Sequence, residues 1–293
     1  MNAHNHQHPH NPSPPTPKLA NVKSVIAVAS GKGGVGKSTV AVNLACALSK
    51  LNKKVGLLDA DIYGPSQHIM LGLTQLNPEM DENRKITPPE KYGLSIMSFG
   101  FFVKPEEAVV WRGPMVARML QQLIEDVNWG ALDYLVVDLP PGTGDVQLTL
   151  TQLLQVTGSV IVSTPQDVAL ADAIKSITMF RKVNVEILGL VENMAFFACP
   201  HCEHETNIFS RGGGKETARV MNIPFLGELP LEESTRTSGD KGTPIVFAEP
   251  ASAQAKRFLD MAKQVDERVK EIVEHGFSPL PVPPMGKVES FSV

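Results

Sequence analysis

Residues 30–39 read SGKGGVGKST, and this stretch decides how the surrounding chain folds. It fits the pattern G-x-x-x-x-G-K-[ST], with Gly31 at its start and Gly36, Lys37 and Ser38 at its end. Glycines let a backbone bend around an anion, and the start of a following helix attracts negative charge. In such a loop the lysine reaches the β- and γ-phosphates, and the hydroxyl binds Mg²⁺. The stretch therefore predicts a loop that binds the phosphates of a nucleotide.

The segments around this loop have the periodicity that such a site requires. Residues 24–29 form an apolar run typical of a buried strand, and residues 38–50 place apolar side chains mostly at helical spacing. The other predicted strands are 54–59, 94–99, 134–138, 158–163, 187–191 and 224–229, and the other predicted helices are 114–127, 146–156, 167–182, 214–221 and 251–274. This alternation predicts an α/β fold with a doubly wound, mostly parallel sheet, formed by a single domain at 21–275.

Acidic residues end or follow two of the predicted strands. Strand 54–59 leads into Asp61, and the apolar strand 134–138 ends in Asp138. Because ligands bind at the carboxyl edge of a parallel sheet, both carboxylates are predicted beside the phosphate loop. We expect Asp138 to hold Mg²⁺ and Gly142 to bring its N–H close to the γ-phosphate.

Composition and charge narrow the class of protein. The 293 residues are 42% hydrophobic, which supports a sizeable core. The formal net charge of -4 argues against a nucleic-acid partner, and no apolar run approaches the ~18 residues of a membrane span. We therefore expect neither nucleic acid nor a membrane as a partner. Three cysteines argue against a disulfide framework and favour a reducing compartment, so we expect a cytoplasmic protein.

Both ends of the chain lack an apolar period. Residues 1–20 are rich in histidine and proline, and residues 276–293 are rich in proline. Segments of this composition bury too little apolar surface to become ordered, so both are predicted to be solvated tails. The first also lacks the arginines of a mitochondrial transit peptide and the apolar core of a secretory signal.

A second chemistry is indicated by Cys199 and Cys202, which form a C-x-x-C pair in a predicted loop after strand 187–191. Two thiolates complete neither a zinc site nor an iron–sulfur cluster. His201 or His204 could join them in a zinc site, or the cysteines could form a redox disulfide. Alternatively, a second copy of the chain could supply two more thiolates across a two-fold axis. The third cysteine, Cys46, lies on the apolar side of the first predicted helix and is expected in the core.

Several motifs resemble one group of P-loop ATPases. Lys32, directly after the first glycine, gives the loop the deviant Walker A spelling of the MinD-like ATPases, in which this lysine crosses a dimer interface to the partner's nucleotide. The motifs DADIYGPS at 59–66, DLPPGTGD at 138–145, STPQDVALADA at 163–173 and CPHC at 199–202 resemble the Mrp/ApbC family of iron–sulfur cluster carriers. The resemblance covers about residues 22–250 and is specific because the whole set occurs in order.

The resemblance implies an ATPase whose homodimer shares a [4Fe–4S] cluster between Cys199 and Cys202 of each chain and delivers it to apo-proteins. It implies catalytic roles for Lys32 and Lys37, and it implies that Asp61 positions or activates the attacking water. The residues implied to line the nucleotide and its Mg²⁺ are Gly31, Lys32, Gly33, Gly34, Val35, Gly36, Lys37, Ser38, Thr39, Asp138, Gly142 and, at the adenine, Asn193. Many members carry a small domain before the loop, where only a short tail stands here, so that domain's contacts are not expected.

Two other functions share some of these features. A positioning or partition ATPase would share the loop and Lys32, but it would require a membrane-targeting tail or a basic face and would leave the C-x-x-C unexplained. A zinc-stabilised nucleotide switch would use Cys199, Cys202 and one nearby histidine. The leading hypothesis is the cluster carrier, in which slow ATP hydrolysis serves a conformational cycle.

Overall fold

The computed structural model describes residues 19, 21–102, 113–199, 201–202 and 204–276, without the side chains of 113–117. The predicted tails lie almost entirely outside these residues. In chain order the elements are β1 (Val22–Ala29), α1 (Lys37–Lys50), β2 (Val55–Asp59), α2 (Gln67–Met70), β3 (Glu79–Met80), β4 (Ile86–Thr87), β5 (Glu90–Lys91), β6 (Leu94–Ser98), a 3-10 turn (Phe99–Phe101), α3 (Gly113–Glu125), β7 (Leu132–Asp138), α4 (Asp145–Leu154), β8 (Gly158–Ser163), α5 (Asp167–Lys182), β9 (Glu186–Ala198), β10 (Glu205–Thr206), α6 (Gly213–Val220), β11 (Phe225–Leu231), α7 (Glu233–Asp240), α8 (Ile245–Ala248) and α9 (Ala253–His275).

One large sheet organises the described part of the chain. Eight of its nine strands pair in the order β10-β9-β8-β1-β7-β2-β6-β5, and the ninth, β11, pairs with β9. The strands from β9 to β6 run parallel, as β11 does with β9, whereas the two-residue strands β5 and β10 pair antiparallel. Parallel neighbours require crossover connections, which the intervening helices supply. The predicted mostly parallel α/β sheet is confirmed.

Helices cover both faces of this sheet. Along β1 the side chains alternate, so that Ile26 and Val28 pack with α1, α8 and α9 on one face. Val25 and Ala27 pack with α3, α4, α5 and α6 on the other face. Because both faces are covered, the central strands are apolar throughout, which is why they could be recognised in the sequence. None of the described helices is both long enough and apolar enough to cross a membrane.

The register of three adjacent strands assembles the carboxyl edge of the sheet. Asp59 at the end of β2 lies opposite Asp138 at the end of β7. On the other side of β7, Val28 of β1 lies opposite the same Asp138. Since β1 ends at Ala29, the phosphate loop begins beside Asp138. The predicted meeting of the loop with the acidic strand end is confirmed.

One strand is longer than the sequence pattern indicated. The strand predicted at 187–191 is β9, which continues to Ala198. It continues because β11 pairs with it as far as Phe197, and β10 pairs with Phe197 and Ala198. The prediction of a loop between this strand and Cys199 is therefore wrong, because Cys199 follows the strand directly.

Three of the described helices were not predicted. The sequence of α7, ESTRTSGD, contains no apolar residue, and Ser, Thr and Gly are weak helix formers. The helices α2 and α8 have only four residues each, too few for a periodic pattern. All three pack against neighbouring helices, a contribution that sequence periodicity does not reveal.

A charged cluster fastens α9 to the sheet. The Tyr134 hydroxyl of β7 donates to Asp266 Oδ1 at 2.5 Å, and both side chains are largely buried. Lys53 Nζ and Lys270 Nζ lie 2.9 and 2.8 Å from the same carboxylate. Burial alone would raise the pKa of Asp266, but the hydrogen bonds from these three partners lower it to about 2.

Replacing Asp266 with alanine should lower the free energy of unfolding by about 2 kcal/mol, because the buried Tyr134 hydroxyl loses its acceptor. The control is Asp260→Ala, which removes only an exposed pair with Lys263 and should cost about 0.5 kcal/mol or less. Denaturant unfolding measures both.

A carboxylate with a lowered pKa stabilises the fold above its unfolded pKa and stops doing so as the pH falls. The difference between wild type and Asp266→Asn should therefore shrink from about pH 4 to pH 2, and a constant difference would contradict the assignment.

Candidate functional site

Two glycines give the phosphate loop its curvature. Gly34 and Gly36 have φ values of 83° and 82°, in the left-handed region that favours glycine. Gly36 is also the N-cap of α1, so the loop ends at the helix N–H groups that have no partner within the helix. A Cβ on Gly36 would overlap the side-chain amide of Asn193. The loop therefore has the curvature and the donors to surround a phosphate group.

The Lys37 ammonium lies at the centre of the predicted site. Its Nζ is 2.5 Å from Asp138 Oδ1, 3.6 Å from Asp61 Oδ2 and 3.3 Å from Ser38 Oγ. The lysine side chain is only 6% exposed, so its contact with Asp138 lies in an environment of low dielectric constant, where opposite charges attract strongly. All four residues were predicted as site residues, and the structure brings them together. Their hydroxyl and carboxylate oxygens are the ligand types that Mg²⁺ prefers.

Asp61 occupies the loop between β2 and α2. Its Oδ1 accepts the Gly64 N–H at 3.3 Å, which fixes the carboxylate within the turn. Burial raises the pKa of Asp61, the Lys37 ammonium opposes that rise, and the Asp138 carboxylate adds to it. A carboxylate with these neighbours is well placed to accept a hydrogen bond from a water at the phosphate loop.

Sequence reasoning missed the role of Asp59, although an acid at a strand end was the available signal. Its carboxylate accepts the backbone N–H groups of Asp61, Ser66 and Gln67 at 3.2, 2.9 and 3.0 Å. It also accepts the Ser98 hydroxyl at 2.8 Å. Burial and the nearby Asp138 carboxylate raise the pKa of Asp59 to about 7. Asp59 therefore shapes the loop that carries Asp61.

Gln67 is a second residue that the sequence did not reveal. Its Nε2 donates to Asp138 Oδ2 at 2.8 Å and to the Ser38 carbonyl at 3.0 Å. The side chain is fully buried. Gln67 thus fastens the start of α2 to both the phosphate loop and the acidic end of β7. A glutamine inside an irregular stretch has no sequence signal for such a contact.

Gly142 makes a contact that differs from the expected one. Its N–H, predicted to approach the γ-phosphate, donates to the Ser30 carbonyl at 2.9 Å. The residue has a φ of 104°, which only glycine adopts easily, and a Cβ there would meet no atom within 4 Å. The position is therefore open, but a phosphate contact by this N–H would require its bond to Ser30 to break.

Asn193 lies between the phosphate loop and a neighbouring cavity. Its Nδ2 donates to the Val35 carbonyl at 2.8 Å. A cavity of about 410 Å³ opens beside it, lined among others by Thr39, Asn193, Pro230 and Arg236. The cavity adjoins the phosphate loop, and the role at the adenine that the resemblance implies for Asn193 stays a prediction.

Lys32 and Gly33 lie on the outer side of the loop. The Ser30 hydroxyl donates to the Lys32 carbonyl at 2.9 Å, which holds the backbone. Among the described residues, the Lys32 ammonium has no carboxylate partner. A lysine in this position is free to contact a group outside the chain.

The cysteine pair lies in a hairpin formed by the end of β9, the C-x-x-C turn and β10. We call the described residues of this segment, 197–199, 201–202 and 204–206, the cysteine hairpin. Cys199 N donates to the His204 carbonyl at 3.0 Å, while Cys199 is partly exposed and Cys202 is exposed. The N–H groups of His201 and Cys202 lower the pKa of the Cys199 thiol, which favours the thiolate that binds metals.

The rest of the chain adds no ligand to this pair within the described residues. No group of three or more His, Cys, Asp or Glu side chains there is arranged to hold a metal ion, although His201 and His204 both lie in the hairpin. Both thiols are free rather than joined in a disulfide. Cys46 is fully buried, and burial raises the pKa of its thiol, as expected for a core residue. A groove of about 1040 Å³ opens beside Cys199.

Gly31→Ala should lower the free energy of unfolding by about 1–3 kcal/mol, because the new Cβ would overlap the backbone carbonyl of Asp172. The matched control is Gly33→Ala, where a Cβ meets nothing within 4 Å. That variant should change the stability by about 0.5 kcal/mol or less. Denaturant unfolding compares the two, and equal losses would contradict the close approach of the loop to α5.

Known proteins of similar sequence exist. A family model described as "ParA: NUBPL iron-transfer P-loop NTPase" matches residues 21–266. The chain is 51% identical over 258 residues to the iron–sulfur cluster transfer protein NUBPL of Mus musculus, covering 87% of this chain and 81% of that protein. It is 50% identical over 257 residues to the iron–sulfur cluster carrier protein of Aquifex aeolicus, covering 87% of this chain and 71% of that protein.

A solved structure is similar as well. The nucleotide-binding protein from Archaeoglobus fulgidus, in complex with ADP, superposes with a TM-score of 0.68 at 40% identity and covers 76% of this chain and 88% of its own. The family match includes the phosphate loop, Asp61, Asp138 and the cysteine pair. The chain therefore belongs to the ParA/NUBPL family of iron-transfer P-loop NTPases.

Proposed function

We propose that this protein is an ATP-dependent carrier of iron–sulfur clusters. Two copies of the chain would hold one [4Fe–4S] cluster between their Cys199 and Cys202 thiolates and deliver it to apo-proteins. ATP with Mg²⁺ would bind the phosphate loop and be hydrolysed slowly. The expected cytoplasmic location belongs to this proposal, because thiolates that carry iron require a reducing compartment.

The observation that carries the proposal is the path of β9. This strand contacts the phosphate loop through Asn193 and reaches the exposed cysteine pair six positions later, at Cys199. At about 3.3 Å per residue, this segment spans at most about 20 Å. It is irregular, because Met194 has a φ of 55° and the pairing with β11 shifts register between Leu229 and Leu231. A change at the nucleotide would therefore reach the cysteine hairpin through this short segment of β9.

Four-cysteine ligation is the step that requires a second copy. A four-iron cluster takes four thiolates, and each chain supplies two at the hairpin. Within the described residues, no third ligand approaches the pair, which favours completion by a partner over a zinc site in one chain. The exposure of Cys202 fits contact with another copy, as does the Lys32 ammonium, which pairs with no carboxylate in the described part of the chain.

The nucleotide chemistry follows from the groups around Lys37. Phosphate oxygens of ATP would replace the carboxylates as partners of the ammonium, which frees Asp138 to hold Mg²⁺ together with Ser38. Asp61 would then accept a proton or hydrogen bond from the attacking water. Because Gln67 joins Asp138 to α2, a shift of Asp138 would also move the loop that carries Asp61.

ATP would act as a switch rather than as a source of chemistry on the cluster. Binding of two nucleotides would draw the two copies together, and hydrolysis would change the fit of the cluster between them. The groove beside Cys199 leaves one side of the pair open to a recipient protein.

Lys37→Ala should abolish transfer of the cluster while leaving its binding nearly unchanged, because this ammonium touches the nucleotide and not the thiolates. We expect at least a roughly hundredfold slower transfer to a four-cysteine apo-ferredoxin in the presence of ATP. The control is Lys256→Ala, an exposed lysine on α9. Equal loss of binding and transfer, in a variant whose circular dichroism spectrum shows that it is folded, would reject the switch.

Cys199→Ser and Cys202→Ser should each remove the cluster, because each leaves only two of the four thiolates, one from each chain. ATP binding should persist in both variants. Cys46→Ala, in the core, should retain the wild-type content of iron and acid-labile sulfide. Retention of the cluster by both serine variants would exclude the hairpin as its site.

A further inference from the structure

The cysteine hairpin is held by little backbone pairing. The strand β10 has only two residues, which pair with Phe197 and Ala198. Two-residue ladders are weak on their own, since stable hairpins need more strands or packed side chains. Among the described residues of the turn itself, one further backbone bond, from Cys199 to His204, closes the hairpin. The orientation of the two thiols therefore depends on side chains that pack against the base of the hairpin.

Arg211 makes those contacts on three strands at once. Its Nη1 donates to Glu205 Oε2 of β10 at 2.5 Å. Its Nε donates to Glu228 Oε2 of β11 at 2.8 Å, and its Nη2 is 2.8 Å from the same oxygen. Its guanidinium carbon lies 4.2 Å from the centroid of the Phe196 ring on β9. We call these contacts of Arg211 with Glu205, Glu228 and Phe196 the clamp. Because Ala198 pairs directly with Glu205, the clamp lies next to Cys199.

The backbone of Arg211 is itself fixed from the other end. The following glycines, Gly212 and Gly214, donate their N–H groups to the buried carboxylate of Glu192. A Cβ on Gly214 would run into that carboxylate, and Gly212 has a φ of 87°. Glu192 lies directly before Asn193, which contacts the phosphate loop. Residues 211–214, which we call the strap, are thus fixed to β9 at two points, Glu192 and Phe196.

We propose that Arg211 is a positioning residue that holds the cysteine hairpin in the orientation in which two copies can share one cluster. The cluster in this inference rests on the proposed function. The contacts of Arg211 are present in the structure whether or not that function is correct. A planar guanidinium offers a fork of donors and a face for an aromatic ring, whereas lysine offers a single charge on a flexible stem. The geometry therefore requires arginine and not merely a cation.

The test compares Arg211→Lys, Arg211→Ala and wild type as full-length protein. After anaerobic reconstitution, an iron chelator is added, and cluster loss is followed by visible absorption. Both variants should lose the cluster about tenfold faster than wild type, the usual effect of removing a group that orients metal ligands. The thermal midpoint and the affinity for ADP should stay close to wild type, because Arg211 lies at neither the core nor the phosphate loop.

The matched control is Arg219→Lys, which disturbs only an exposed pair with Glu216 on α6 and should leave cluster loss unchanged. If Arg211→Lys keeps the cluster as well as wild type does, charge alone suffices and the positioning role is overturned. If Arg211→Ala also behaves as wild type, the clamp has no role.

A second readout separates this inference from the carrier function. Backbone amide exchange over residues 204–206 is measured in the same proteins without any cluster. Faster exchange in Arg211→Lys supports the clamp even if wild type binds no cluster, an outcome that would reject the proposed function alone. Unchanged exchange in both Arg211 variants overturns the clamp whatever the cluster does.

Discussion

The structure depends on one buried ammonium held between carboxylates. Lys37 lies 2.5 Å from Asp138 and 3.6 Å from Asp61, and neither its charge nor theirs would be tolerated there alone. This pairing connects three elements, namely the phosphate loop, the end of β7 and the loop after β2. A nucleotide that binds here must displace the carboxylates from Lys37, because its phosphates compete with them for the same ammonium. In the proposed mechanism, binding energy would thereby be converted into movement of the two acidic segments.

Much of this arrangement could be predicted because it follows from local pattern. The glycines of the loop and the apolar strand before Asp138 have spacings that the chemistry demands. Parallel pairing then places their ends at one edge of the sheet. The roles of Asp59 and Gln67 could not be predicted, because they arise from contacts across the fold between segments distant in sequence. The helix α7 escaped prediction for the same reason, since packing and not propensity forms it.

The length of β9 is the departure with the greatest consequence. As a short strand followed by a loop, it would have left the cysteine pair loosely connected to the sheet. As a strand that runs to Ala198, it joins Asn193 at the nucleotide site directly to Cys199. The strap at 211–214 is fixed to the same strand, by Glu192 and by the contacts of Arg211. The connection along β9 favours coupled movement of the two sites over independent movement.

The central claim is that two chains share one cluster, and one measurement tests it most directly. Iron and acid-labile sulfide per chain are determined after anaerobic reconstitution, together with the molar mass in solution. The account predicts about two irons and two sulfides per chain, as four-cysteine ligation of one four-iron cluster by two chains requires. The mass should be that of two 31.7 kDa chains. A monomer that binds one zinc ion and no sulfide would contradict the carrier function and leave a metal-stabilised nucleotide switch in its place.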